Sequence, residues 1–162
     1  MSQPPASPPT AGVGDQITYP VFHVTCTDIA RFAHSIGSRA PEYFDAGAAR
    51  SRGHRDVVAP LGYYVAIRHQ TASLVALEEL SVDGMPPDLT PATTYLRRAA
   101  GESRARFHDR FVAGDRVVVT KTLVDIADKQ GRSGAFTAVT HELHYDTDRG
   151  TAVVEHFVRI LR

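Results

Sequence analysis

From Arg116 to Leu161 the chain is dominated by one pattern. The segments "DRVVVTKTLVDIAD", "GAFTAVTHELHY" and "TAVVEHFVRIL" each place apolar residues at close to every second position, and "KQGRSG" and "DTDRG" separate them. A period of two belongs to strands with one face in a core. Glycine in short polar links supplies the positive φ that hairpin turns require, so the segments predict a meander of antiparallel strands. A further strand or hairpin, decorated with polar groups, is expected from "TTYLRRAAGESRARFHDRF" just upstream.

Such a meander needs an apolar partner for its inner face. The run "VVAPLGYYVAI", continuing through "RHQTASLVALEEL", predicts one long helix from Pro60 to Leu80, because proline at the first helical position loses no backbone hydrogen bond. It is apolar almost all round from Leu61 to Ile67, so its first half should be buried. The segment "SVDGMPPDLTPAT" breaks every period and reads as a loop.

Ahead of the helix, "QITYPVFHVT" alternates as a strand, with Pro20 marking an edge or a bent start. "TDIARFAHSIG" reads as a short helix with Thr27 as N-cap, Asp28 at its positive end, Ile29, Phe32, Ala33 and Ile36 on one face, and Gly37 closing it. A small helical or turning piece is expected around Asp45 to Arg50. The layout is therefore α+β, a long buried helix wrapped by a curved antiparallel sheet. One sheet with a helix on one face leaves edges to cover, and pairing of two such sheets in a dimer is the natural completion.

At 162 residues the chain has the size of one domain. Residues 1–14, "MSQPPASPPTAGVG", hold four prolines and no large apolar side chain except Val13, so they read as a flexible tail ahead of a domain over 15–162. The tail lacks the basic start and apolar middle of a secretory signal, and no run reaches the length of a membrane span, so a cytoplasmic protein is expected. Formal net charge is zero and pI is near 7.1, which argues against nucleic acid or an anionic membrane as partner. Cys26 is the single cysteine; it excludes an internal disulfide or a cysteine-based zinc site and reads as a small, half-buried residue.

Three landmarks give the pattern a family likeness: the approach "FAHSIGSRAPEYFD", the helix start "VVAPLGYY", and "FVAGDRVVVTKTLVDI". In this order and spacing they resemble the MaoC-like family of (3R)-hydroxyacyl-thioester dehydratases and hydratases. Within it the likeness is to the N-terminal-type, non-catalytic half, and to the substrate-binding subunits of heterodimeric hydroxyacyl-ACP dehydratases such as the mycobacterial one. The likeness runs from about Thr18 to the C-terminus and implies a single hot-dog domain that dimerises.

The family's chemistry removes water from a 3-hydroxyacyl thioester. It requires a base for the α-proton, a proton for the departing hydroxyl, and a donor for the charge that develops on the thioester oxygen. Catalytic members supply the first two from a pattern like D-x-N-P-x-H. That pattern falls here on "SRAPEY": Ser38 takes the aspartate's place, Ala40 the asparagine's, Pro41 is retained, and Tyr43 takes the histidine's. Neither serine nor tyrosine is a useful base near neutral pH. The resemblance thus implies no catalytic residue in this chain, with Ser38 as a turn or cap and Tyr43 as an aromatic wall of an acyl channel.

Some groups merit weighing as rescuers. His54, with Asp56 to orient it, is the one weak catalytic candidate, and an exposed loop histidine is the simpler account. His34 reads as solvated or capping. Glu142 and His144 should share one strand face and His141 and Tyr145 the other; "HELH" lacks the helical H-E-x-x-H pattern, so no metal is expected, and no step of the chemistry calls for a cofactor. The intact feature is the helix start, where the amides of Leu61 and Gly62 follow Pro60. The expected substrate-binding set is therefore Tyr43, Val58, Pro60, Leu61, Gly62 and Tyr63.

Two functions follow as expectations. One is an acyl-binding, non-catalytic subunit of a heterodimeric dehydratase in fatty-acid or polyketide biosynthesis, partnered by a catalytic hot-dog subunit and taking acyl carrier protein or coenzyme A thioesters. The other is a homodimer that binds acyl thioesters or a small polyketide, with an altered active site. Arg97, Arg98, Arg104 and Arg106 offer a local patch for an acidic carrier, though such a cluster is more often a solvated strand face.

Overall fold

A computed structural model describes residues 11–80, 86–91, 97–132 and 134–162. The expected flexible tail lies, except for residues 11–14, outside the described residues. Residues 81–85 and 92–96 of the expected loop and strand lie outside them too.

The described residues form six strands and three α-helices. They run β1 (Gln16–Thr18), β2 (Phe22–His23), α1 (Cys26–Ser35), α2 (Ala46–Ser51), α3 (Tyr63–Ala72), β3 (Arg98–Phe107), β4 (Arg116–Gly131), β5 (Gly134–Thr147) and β6 (Gly150–Leu161), with single 3-10 turns at Pro41–Tyr43 and Leu77–Glu79. The sheet order is β1-β4-β5-β6-β3, with β2 also on β4. Every pairing is antiparallel. The two predicted hairpins close where Gly131 faces Gly134 and Thr147 faces Gly150. Gly134 and Gly150 have φ of 115° and 112°, values that only glycine adopts readily.

Register breaks between Ala100 and Glu102, Leu123 and Asp125, and Tyr145 and Asp146 bend the strands. The sheet curves, and α3 lies against its inner face. The core there joins Ile29 of α1, Tyr63 and Ile67 of α3, and Val117, Val119, Leu143, Tyr145 and Val153 of the sheet. A second cluster of Leu123, Val139 and Leu161 lies farther along the same face, with Leu89 packed on it.

Five local expectations need correction. The central helix is ten residues long rather than reaching Leu80. Thr71 Oγ1 bonds back to Ile67 O at 2.9 Å and Ser73 Oγ to Gln70 O at 2.8 Å, so hydroxyls compete for the carbonyls that would carry the helix on. Its first half is also only partly buried: Tyr63 and Ile67 are inaccessible, while Tyr64, Val65 and Ala66 are half-buried and Leu61 is 49% exposed. The sheet covers one side of α3 and leaves an apolar flank open.

The cap of α1 is Thr25, not Thr27: its Oγ1 accepts from Asp28 N at 3.1 Å, and Ile36 is exposed. Residues 16–23 form two short strands rather than one, broken around Pro20, and β1 lies at a sheet edge as proline there suggested. Cys26 is exposed rather than half-buried, because the cap shift places it in the first turn of α1.

Candidate functional site

The start of α3 is seated by its neighbours along the chain. Residues 57–59 lie beside residues 111–113: Ala59 N–H donates to Phe111 O at 2.8 Å, Ala113 N–H donates to Val57 O at 2.9 Å, and Val58 bridges Val112. The "FVAGD" landmark is the turn that makes this possible. Gly114 takes φ 90°, and buried Asp115 accepts from Val112 N–H at 2.9 Å. Arg55 and Arg149 both pair with the Asp115 carboxylate. Arg110 donates from Nη2 to Ala59 O at 2.6 Å and closes the clamp from the other side.

Into this frame the structure places each expected residue. Val58 and Pro60 are buried, and Leu61 and Gly62 are exposed at the helix start. Tyr63 N–H donates to Pro60 O at 3.0 Å. Among the described residues no acceptor faces the N–H groups of Leu61 or Gly62, and unpaired donors at a positive helix end can receive an oxygen. A Cβ at Gly62 would meet the Phe32 ring at 3.5 Å, in ordinary contact; it points toward α1 rather than outward.

Tyr63 is fully buried, edge-on to Phe32 and Phe111. Burial, with Asp28 adding, pushes its hydroxyl far above the ordinary range. Its side chain is core, and only its backbone belongs to the helix start.

The "SRAPEY" segment lies alongside, because Val58 N–H donates to Glu42 O at 3.1 Å. Ser38 Oγ faces Ala40 N at 3.5 Å and its own N–H donates to Ala33 O at 2.9 Å, a turn residue throughout. Tyr43 is half-buried and packs on the main core. His54 is half-buried with its N–H on Ala49 O, while Asp56 accepts from Val57 N–H at 2.7 Å and faces Arg50 at 3.9 Å. His34 is exposed in the last turn of α1, against the ring of Phe44.

On the sheet, Glu142 and His144 face outward together. Glu142 contacts His144 Nε2 at 2.9 Å and His156 Nε2 at 3.0 Å. Glu142 and His156 border an open groove of about 600 Å³ that also takes in Arg104, Arg106 and His108. Among the described residues no group of three or more His, Cys, Asp or Glu side chains is placed to hold a metal ion.

Sequence reasoning missed four features. Glu42 is buried, with Oε1 on Arg52 at 2.8 Å and, among the described residues, Oε2 without a partner. The ring of Tyr64 meets Phe107 at 5.8 Å, and Phe107 is 40% exposed. With Leu61 they form an apolar margin along β3, an edge strand whose residues are nearly all exposed. Glu155 and Lys121 are buried on the inner face. The signal for the last two was present: each is in phase with the apolar residues of its strand.

The chain matches the family described as FAS1-like, dehydratase domain region, over residues 11–156. It is 28% identical to a UPF0336 protein of Streptomyces griseus over 143 residues, 88% of this chain and 85% of that one. It is 31% identical to the UPF0336 protein SCO4636 of Streptomyces coelicolor over 68% of this chain and 67% of that one. Among solved structures it is similar to the HadBC complex of Mycobacterium tuberculosis, a (3R)-hydroxyacyl-ACP dehydratase (TM-score 0.68, 20% identity, 91% of this chain and 96% of that one). It is also similar to the ChsH1–ChsH2 complex of the same organism (0.69, 20%, 90% and 86%). A third is a MaoC-like dehydratase of Rhodospirillum rubrum (0.65, 19%, 93% and 91%). At these identities the likeness is one of fold, and the fold is the hot-dog.

Proposed function

Because the chain belongs to the FAS1-like dehydratase region family, we propose that it is the acyl-binding, non-catalytic subunit of a heterodimeric (3R)-hydroxyacyl-thioester dehydratase. The observation that carries this reading is the state of the "SRAPEY" segment. It runs beside the helix start, where a thioester carbonyl would sit, yet Ser38 is engaged in a turn and Tyr43 in the core. General acid–base chemistry requires a group of suitable pKa within reach of the transferred proton. The segment's own carboxylate, Glu42, is buried and tied through Oε1 to Arg52, with Oε2 unpartnered among the described residues.

The role of each expected residue follows. The amides of Leu61 and Gly62 receive the thioester oxygen; Val58, Pro60 and Tyr63 hold that turn; Tyr43 lines the wall. A catalytic subunit supplies the aspartate and histidine. It docks along β3, where unpaired backbone groups run beside Leu61, Tyr64 and Phe107. The two-component HadBC and ChsH1–ChsH2 complexes support a second, different chain. The acyl group is carried by coenzyme A or acyl carrier protein, in fatty-acid or polyketide assembly.

Co-expression with a neighbouring small hot-dog reading frame that carries D-x-N-P-x-H tests the pairing. A 1:1 complex is expected. A stable homodimer that ignores this partner would favour the second reading, a homodimeric thioester-binding protein or altered enzyme, for which His54 is the residue to remove.

A further inference from the structure

On the inner face of the sheet, under and beyond α3, lies a charged cluster that the proposed division of labour leaves without a task. Glu155 of β6 is completely buried. Its Oε1 accepts from Arg68 Nη1 at 2.5 Å and from Ser103 Oγ at 2.6 Å, and its Oε2 accepts from Tyr145 Oη at 2.7 Å. The Arg68 guanidinium stacks over Phe157, 4.4 Å from the ring centroid.

Farther along the same face, Arg159 pairs with the Asp88 carboxylate, and Lys121 Nζ donates to Asp88 O at 2.6 Å. The cluster thus sets three cations, Arg68, Lys121 and Arg159, against two carboxylates, Glu155 and Asp88. The cations act on one another: burial first, then Arg159, brings Lys121 down to about 8, with Arg68 adding to the effect.

Arg68 is the least satisfied of the three. Among the described residues its Nη1 alone finds an acceptor, which leaves the N–H groups of Nε and Nη2 unspoken for, and its side chain is 19% exposed. A buried ion pair adds little net stability over apolar residues of the same size. Fixed donors that water can still reach instead discriminate among ligands, because a ligand that displaces the water without the matching oxygen leaves them unpaired.

We propose that Arg68, held in place by Glu155 and Phe157, receives an oxyanion at the far end of the acyl group, so that the ligand of this chain is an acyl thioester with a distal carboxylate. The proposal rests on the acyl-thioester reading above and names the substrate class for that site. Arg68 follows Gly62 by six residues, about 9 Å along the helix axis. A medium-length chain anchored by its thioester at the helix start brings its terminal carboxylate to that guanidinium. An unsubstituted alkyl end would strip water from the same cation and return no contact.

The test is calorimetric binding of adipyl-CoA and hexanoyl-CoA, thioesters of equal chain length, to the full chain in the assembly in which it purifies. Adipyl-CoA is expected to bind at least about tenfold more tightly. The preference should vanish in Arg68→Met/Glu155→Gln, which removes both charges of the ion pair together, and persist in Glu155→Gln, which keeps the guanidinium. Circular dichroism verifies that each variant is folded. Equal binding of the two thioesters, or an unchanged preference in the folded double variant, overturns the role of Arg68 and leaves the acyl-thioester reading standing. Failure of both thioesters to bind overturns the role of Arg68 and the acyl-thioester reading together.

Discussion

Side chains in phase with a strand's apolar row go into the core whatever their polarity, and this chain uses that rule for Lys121, His141 and Glu155. Lys121 keeps step with Val117, Val119 and Leu123; Glu155 keeps step with Val153 and Phe157. Their placement was readable from alternation alone. Their partners were not, since Arg68 comes from a helix and Asp88 from a loop far away in sequence. His141 shows the consequence of burial most clearly. Burial first, then Lys121, pulls it down to about 4, against an ordinary value of about 6.5. The native chain refuses a proton that the unfolded chain accepts, so stability is full above the ordinary value and falls as pH drops from there toward 4, by up to about 3 kcal/mol. Thermal melts at mildly acidic and neutral pH should show this slope flattened in His141→Gln; an unchanged slope would assign the acid sensitivity elsewhere. At the helix start, Tyr43→Phe and His54→Ala should leave the turnover of the assembled enzyme close to its starting value. Loss of a general base removes ~10²-fold or more, and a fall of that size in either variant would place catalysis in this chain.

At the scale of elements, the three C-terminal strands and both hairpin turns were legible because alternation and glycine position are local signals. The extent of α3 was not. An unbroken apolar run says nothing about where hydroxyls will turn back on the backbone, as Thr71 and Ser73 do, and the helix stops well short of its expected end. The open flank of α3 and the edge of β3 belong together. Leu61, Tyr64 and Phe107 are the apolar residues there, and an exposed edge strand with an apolar margin is a docking template. Phe107→Asp should therefore change the stability of the isolated chain little, within about 0.5 kcal/mol as surface substitutions do. It should weaken association with the catalytic subunit by ~2 kcal/mol, the scale of an interface hot spot. A denaturant melt of the isolated chain measures the first and titration of the labelled variant against the partner the second; an unaltered affinity would move the interface away from β3.

On the proposed function, the molecule taken whole is one half of a site. The hot-dog layout was visible in the order of helix and strands, and the sequence puts Ser38 and Tyr43 where the resemblance would have an aspartate and a histidine. What one sequence withholds is the other surface: an edge strand names no partner, and an acyl channel completed across two chains leaves only half its residues in either. In the proposed function one chain holds the acyl thioester and another moves the protons. The most direct check is the rate of enoyl-thioester hydration, followed at constant protein concentration, for this chain alone and after addition of its hot-dog partner. No turnover by the lone chain and full turnover on mixing is the predicted result. Turnover by the lone chain, abolished by substitution of one of its own side chains, would contradict it.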